Sequence, residues 1–246
     1  MESDLVVFLD DGGVMNEPES RHAQWTRLVA EFFALRLGGS LEAWAKANRI
    51  VNGSLSSSAA WDERVRAAPD HASFYRAYHI DWLGGMCDLV GVPRPVDDVA
   101  ASLAHTATRS ICQSVRSAFP GAVEAIRALH ARGYRLFTAS GEPSWELEGY
   151  LEGMGVRDCF ERLYGPDLIA TFKSGPLYYE LVLADAGISP ESALIVDDSP
   201  RAIAWAASVG ARTVLVGPPN GSLVTAGIQS LAELPQLLDR LDRPRY

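Results

Sequence analysis

The sequence predicts an α/β fold: a doubly wound, Rossmann-like parallel-sheet core with an all-helical domain inserted into it. Three observations predict it. Runs such as Leu5-Val6-Val7-Phe8-Leu9 are continuously apolar and rich in β-branched residues, which marks strands buried on both faces of a parallel sheet. After Pro120-Gly121 such runs alternate with stretches of helical periodicity, implying βαβ units with right-handed crossovers. Between residues 18 and 117 no strand pattern occurs. The expected organisation is a core of residues 1–17 and 118–246 with a helical domain of residues 18–117.

Leu5–Leu9 is the first strand, ended by Asp10-Asp11-Gly12-Gly13. In the insertion, Trp25, Leu28, Val29 and Phe32 recur at i, i+3, i+4 and i+7, one face of a helix. Ser40 precedes a second helix with Leu41, Trp44 and Ala45 on one side, and Trp61–Val65 suggests a short third. Asp70 is placed to cap a fourth that carries Phe74, Tyr78, Trp82 and Leu83. Val96–Val115 supplies a fifth, with Val99, Leu103 and Ile111 expected to face inward. Trp25, Trp44, Trp61 and Trp82 read as core of this domain. Beyond it, Ala122–Ala131 is helical, Tyr134–Ala139 is a strand ending in Ser140-Gly141, and a helix through Trp145, Leu147 and Leu151 stops by Gly155. Arg162–Tyr164 is a short strand, and a helix through Tyr178, Val182 and Ala186 ends at Gly187. Ala193–Val196 is a strand ending in Asp197-Asp198-Ser199. A helix through Ile203 and Ala206 follows, then a strand Thr213–Val216, a loose stretch Gly217–Gly227 and a closing helix Leu231–Leu241.

Composition narrows the function. Apolar residues make up 48% and charged residues 22%, a globular balance that argues against disorder. A net charge of −9 leaves no general footprint for nucleic acid and disfavours an anionic membrane surface. It still allows a small phosphorylated substrate, because a few local cations and a metal outweigh a diffuse charge. Cys87, Cys112 and Cys159 form no CxxC pair, so they read as free thiols of a reducing compartment. No signal peptide fits the acidic start, and no apolar run approaches the ~20 residues of a membrane span. A cytoplasmic location is expected, and oligomeric state is left open.

The chemistry lies where strands end in polar turns: Asp10–Gly13, Ser140-Gly141 and Asp197-Asp198. In a parallel sheet those turns share one edge, where ligands bind. Lys173 lies in a loop before a helix. Grouped carboxylates repel one another, and a divalent cation with oxygen ligands, Mg²⁺ above all, cancels that repulsion. A hydroxyl, a loop N–H and an ammonium are what the oxygens of a phosphoryl group need.

On these residues the chain resembles the haloacid dehalogenase superfamily of hydrolases, most of whose members are phosphatases. The first motif, a hydrophobic strand and then Asp-x-Asp-Gly, reads Phe8-Leu9-Asp10-Asp11-Gly12-Gly13-Val14. Ser140 matches the second, Lys173-Ser174-Gly175-Pro176 the third and Val196-Asp197-Asp198-Ser199 the fourth. Each motif alone is weak, whereas four in order, each on its expected element, are not. The insertion stands in the place of the family's helical C1 cap.

The resemblance implies that Asp10 is the nucleophile of an aspartyl-phosphate mechanism. It implies that Asp10, Asp198 and the carbonyl of Gly12 bind Mg²⁺, with Asp197 beside the metal. Ser140, the Gly141 N–H and Lys173 would hold the phosphoryl group, with Lys173 also neutralising the nucleophile. One departure stands out: the second aspartate of the first motif, the family's general acid and base, is Gly12 here. Asp11 is expected away from the chemistry, on a turn or a cap, because alternate residues of an extended chain point to opposite sides. His71 and His79 are minor candidates in the insertion.

The leading expectation is a Mg²⁺-dependent phosphatase of a small phosphorylated metabolite, with neither nucleic acid nor membrane as partner. Two alternatives stay open: a metal-independent dehalogenase of a small halo acid, and a non-catalytic binding protein that keeps the fold. A dinucleotide-binding fold is excluded because Asp10–Gly13 is not GxGxxG.

Overall fold

The computed structural model describes residues 5–218 and 226–241. In chain order, β1 (Val6–Leu9) is followed by five helices, α1 (Pro18–Leu37), α2 (Leu41–Leu55), α3 (Ser58–Ala67), α4 (His71–Val90) and α5 (Asp97–Ser114). Then come α6 (Ala122–Ala131), β2 (Arg135–Ala139), α7 (Ser144–Met154), β3 (Arg162–Tyr164), α8 (Pro166–Ile169) and α9 (Pro176–Ala186). The chain continues through β4 (Ala193–Asp197), α10 (Pro200–Ser208), β5 (Arg212–Val216), β6 (Ala226–Ile228) and α11 (Leu234–Leu241). It divides into two compact units, Met1–Pro18 with Arg116–Tyr246, and Glu19–Val115.

The first unit holds one parallel sheet of order β3-β2-β1-β4-β5-β6. β2 and β3 build outward on one side of β1, while β4, β5 and β6 build outward on the other. The winding therefore reverses between β1 and β4, and at such a switch point the crossovers leave a crevice at the carboxyl ends of the strands. All four residues of β1 are buried, alternately to the two faces. Val7 and Leu9 join Ile126 of α6, Leu147 of α7 and Leu234 of α11 in one apolar layer. Val6 and Phe8 join Tyr178 and Val182 of α9 and Ala202 of α10 in the other. That is why the first strand reads as an unbroken apolar run.

Three features of this unit differ from the sequence reading. The loose stretch after Gly217 ends in a sixth strand, since Ala226–Ile228 pairs in parallel with Val214–Val216. Residues 219–225 lie outside the described residues. The closing helix is a 3-10 turn, Leu231–Glu233, running into α11. The four-residue α8 was not predicted; one turn is too short to show a period.

The second unit is all-helical, and its core is aromatic. Phe33 of α1 stacks on Trp44 of α2 at 5.2 Å and meets Trp82 of α4 edge-on at 5.6 Å. The indole of Trp82 donates to Asn48 Oδ1 at 3.0 Å. Ser40 and Asp70 cap α2 and α4 by accepting the N–H groups of Ala43 and Ser73, at 3.1 and 2.7 Å. Two facing expectations fail: Leu41 is 55% and Val99 53% exposed. Both sit in the first turn of a helix, and α5 instead turns inward the small residues Ala100, Ala104 and Ala107, which the apolar period missed. His79 is buried, and burial, with His105 beside it, pushes its pKa down to about 4. Among the described residues no helix is long and apolar enough to cross a membrane.

Where the chain leaves β1 it is braced by Asp11. The Asp11 carbonyl accepts the N–H groups of Met15 and Asn16 at 2.8 and 2.9 Å. Its buried carboxylate accepts the Asn16 amide at 2.6 Å, and Asn16 Oδ1 accepts the Ser117 hydroxyl at 2.8 Å. Glu17 N–H donates to the Ser117 carbonyl at 2.7 Å, and Phe119 N–H to that of Met15 at 3.0 Å. The two chain segments that flank the helical unit in sequence are thus stitched to each other inside the first unit. Replacing Asp11 by Ala would leave the Asn16 amide buried without this acceptor, a loss of about 1–3 kcal/mol. Urea denaturation of Asp11→Ala should show that loss in the midpoint, with an unchanged slope.

Candidate active site

Asp10 directly follows β1, and its N–H donates to the Val196 carbonyl of β4 at 3.0 Å. This pairing across the switch point fixes Asp10 beside Asp197, the last residue of β4. Lys173 reaches both from the loop between α8 and α9. Its Nζ lies 3.1 Å from Asp10 Oδ1 and 2.7 Å from Asp197 Oδ2. Asp197 is engaged at both oxygens: Oδ1 accepts the Ser199 N–H at 2.8 Å, and Oδ2 also accepts the Tyr179 hydroxyl at 3.4 Å.

Asp198 is the exposed member of the acidic pair. Carboxylate oxygens of Asp10, Asp197 and Asp198 lie within 4.8 Å of one another. Gly13 leaves room for this cluster. It has φ +83°, in the left-handed region, and a Cβ there would sit 2.1 Å from Asp198 Oδ2. Gly12 precedes it and bridges to Asn16 in the turn that Asp11 braces.

On the other side of β1, Ser140 follows β2 and is fully buried. Its N–H donates to the Tyr164 carbonyl at 3.1 Å, and its own carbonyl accepts the Tyr178 hydroxyl at 2.8 Å. Its side chain donates to Glu142 Oε2 at 2.5 Å. Gly141 is exposed on the same turn, and a Cβ there would meet nothing within 4 Å.

Burial raises the Asp10 pKa to about 7, with Asp197 and Glu142 adding to it and Lys173 opposing it. Burial also raises that of Asp198, with Asp197 adding to it. Burial works against the charge on Lys173, but Asp10 and Asp197 outweigh it and hold its pKa well above the usual lysine value. One ammonium therefore faces more carboxylate than it can neutralise.

Apart from the minor candidates His71 and His79, which lie in the second unit, every residue singled out in sequence for this chemistry lies in the first unit. Asp10, Lys173, Asp197 and Asp198 are brought together, with Ser140 and Gly141 on the turn after the neighbouring strand. Tyr178, Tyr179 and Glu142 were not picked out as site residues. Tyr178 read as helix core and Tyr179 only as a residue following the third motif; their hydroxyls reach Ser140 and Asp197. Glu142 carried a weak signal, two residues after Ser140 in a polar turn.

A model of the haloacid dehalogenase-like hydrolases matches residues 15–210. The chain is 33% identical over 134 residues to a phosphoglycolate phosphatase of Rhodospirillum rubrum, covering 54% of this chain and 55% of that protein. It is 36% identical over 92 residues to haloacetate dehalogenase H-2 of a Moraxella species, covering 37% of this chain and 41% of that protein. These matches span about half the length of the curated relatives or less. Its fold resembles that of a magnesium-bound HAD-hydrolase, YfnB of Bacillus subtilis, with a TM-score of 0.64 at 17% identity over 96% of this chain and 98% of that one. With its sheet order, its carboxylates at the switch point and a family match over most of its length, the chain belongs to the haloacid dehalogenase-like hydrolases.

Proposed function

We propose that this protein is a Mg²⁺-dependent phosphomonoester hydrolase that acts on a small phosphorylated metabolite through Asp10. The observation that carries the reading is the placement of Asp10 at the switch point, with Lys173 at 3.1 Å and Ser140 on the adjacent turn. An Asp10 oxygen attacks phosphorus, the bond to the leaving oxygen breaks, and the aspartyl phosphate is then hydrolysed. Lys173 screens the repulsion between carboxylate and phosphate, and the Ser140 hydroxyl and Gly141 N–H hold phosphoryl oxygens. The phosphoglycolate phosphatase relative supports this substrate class.

The donor set fits Mg²⁺, since it is all oxygen, and a Cβ at Gly13 would fill the space beside Asp198. Asp10, Asp198 and the Gly12 carbonyl would hold the ion; Asp197, engaged at both oxygens, would stand beside it. Bound there, Mg²⁺ supplies the positive charge that lets a carboxylate approach a phosphate dianion. Residues 18–117, the expected cap domain, are proposed to determine the choice of substrate.

A second reading, hydrolytic dehalogenation with Asp10 attacking carbon, draws on the haloacetate dehalogenase relative and on the missing carboxyl at Gly12. The Asp197-Asp198 pair weighs against it, because uncompensated carboxylates repel an anionic halo acid.

Asp10→Asn should lower phosphate-ester turnover by at least about 10³-fold while the protein stays folded, and Lys173→Ala should be similarly severe. EDTA should abolish the activity and added Mg²⁺ restore it. Undiminished activity in EDTA with release of halide from 2-haloacids would establish the dehalogenase reading instead.

The charge imbalance also has a signature in stability. The folded pKa of Asp10, about 7, exceeds its ordinary 3.8, so the folded chain keeps a proton that the unfolded chain has lost. Stability should therefore fall as pH rises from about 4 to about 7 and stay low above that. Without metal, the melting temperature of Asp10→Asn should gain on wild type across that window and then hold its lead. Added Mg²⁺ should stabilise wild type at pH 8 and leave Asp10→Asn nearly unmoved. Parallel curves for the two proteins in the absence of metal would remove Asp10 as the seat of the penalty.

A further inference from the structure

The proposed reaction leaves one proton without a carrier, because Gly12 stands where the family's acid–base aspartate would be. We propose that Glu142 is the catalytic acid and base that replaces it; the proposal rests on the phosphatase reading above.

The other carboxylates near the site have different work. Asp10 is the proposed nucleophile, and Asp197 is engaged by Lys173 and the Ser199 N–H. Asp198 is a proposed metal ligand, Asp11 is buried against Asn16, and Asp167 accepts the Ser144 N–H at 2.7 Å. Glu142 is half-buried on the turn after β2, and it accepts a hydrogen bond from Ser140, a group proposed to hold the phosphoryl oxygens. Its backbone is fixed there. The Glu142 N–H points at Ser140 Oγ at 3.5 Å, and the chain after β3 packs so closely that a Cβ on Gly165 would lie 2.2 Å from the Glu142 carbonyl. The negative charge of Glu142 helps to raise the pKa of both Asp10 and Asp198.

The hydrogen bond itself supplies a trigger. Ser140 has one hydroxyl hydrogen, and it is given to Glu142. A phosphoryl oxygen that takes this hydrogen removes the Ser140 donor from Glu142 and brings negative charge beside it. Both effects favour the neutral acid, so Glu142 takes up a proton from solvent as the substrate binds. In the first step Asp10 attacks phosphorus, the bond from phosphorus to the leaving oxygen breaks, and the Glu142 proton passes to that oxygen to release an alcohol. In the second step water attacks phosphorus, its proton passes to the Glu142 carboxylate, and the bond from phosphorus to Asp10 breaks. Phosphate leaves, Ser140 again donates to Glu142, and Glu142 returns its proton to solvent.

The test compares wild type, Glu142→Gln, Glu142→Asp and Asp10→Asn, each checked for folding by circular dichroism. Each is assayed in Mg²⁺ with an alkyl ester, 2-phosphoglycolate, and an aryl ester, p-nitrophenyl phosphate. Glu142→Gln should lose about 10²–10⁴-fold on the alkyl ester. On the aryl ester, whose leaving group needs no acid, it should give a burst of about one nitrophenol per chain and then a slow rate, because the aspartyl phosphate is not cleared. Intact mass should find that phosphorylated chain. Glu142→Asp, which keeps the acid on a shorter arm, should recover part of the alkyl rate and show no burst. The proposal is overturned if Glu142→Gln keeps the alkyl rate within about tenfold, loses both substrates equally without a burst, or is more active than Glu142→Asp. Asp10→Asn separates the two levels: it should show neither burst nor turnover, and activity retained there overturns the phosphatase reading and the proposal with it.

Discussion

The site is governed by an unequal charge count. One lysine, Lys173, stands within 3.1 Å of Asp10 and 2.7 Å of Asp197, with an Asp198 carboxylate oxygen within 4.8 Å of theirs and Glu142 adding further negative charge. In water such a cluster would disperse. Here Asp10 and Asp197 are held on adjacent parallel strands, and the pairing of Asp10 N–H with the Val196 carbonyl gives them no freedom to separate. The fold thus stores electrostatic repulsion at the place where, on the proposed reading, a cation and a transferring group would relieve it. The surrounding hydrogen bonds, from Tyr179 and Ser199 to Asp197 and from Tyr178 to the Ser140 backbone, keep that arrangement from relaxing.

This explains why so much polar machinery is tied to an apolar sheet. The continuous apolar character of β1 and β4 buries both strands on both faces, and burial makes their ends rigid. The same burial removes solvent from Asp10 and raises its affinity for a proton. Rigidity and charge cost come from one cause, so the site cannot be made more precise without also becoming more dependent on counter-charge.

Much of this was legible in the residues. Strands that end in Asp10, Ser140 and Asp197 announce a parallel sheet with a polar edge, because each apolar run is short and each turn is abrupt. The sheet order cannot be read that way, yet it is what sets Asp10 beside Asp197. β6 escaped notice because Ala226-Gly227-Ile228 has neither length nor alternation and pairs only at the edge of the sheet. Leu41 and Val99 were misplaced because an apolar residue in the first turn of a helix need not face its core. Tyr178 and Tyr179 are legible as apolar mass but not as hydroxyls, since the partner of a phenol depends on tertiary neighbours. Glu142 was hidden for the opposite reason: a charged residue in a turn is ordinary until its hydrogen bond to Ser140 is seen.

The stitch between Asn16, Glu17 and Ser117 bears on how such a chain can diversify. Its bonds hold the two ends of residues 17 to 117 together inside the first unit. The entropy of closing a flexible loop grows only with the logarithm of its length, about 0.6 kcal/mol for each doubling. A segment between these two anchor points can therefore be lengthened, shortened or exchanged at little expense to the sheet. The stitch acts as a socket, allowing variation in the inserted sequence to proceed separately from the chemistry at the strand ends.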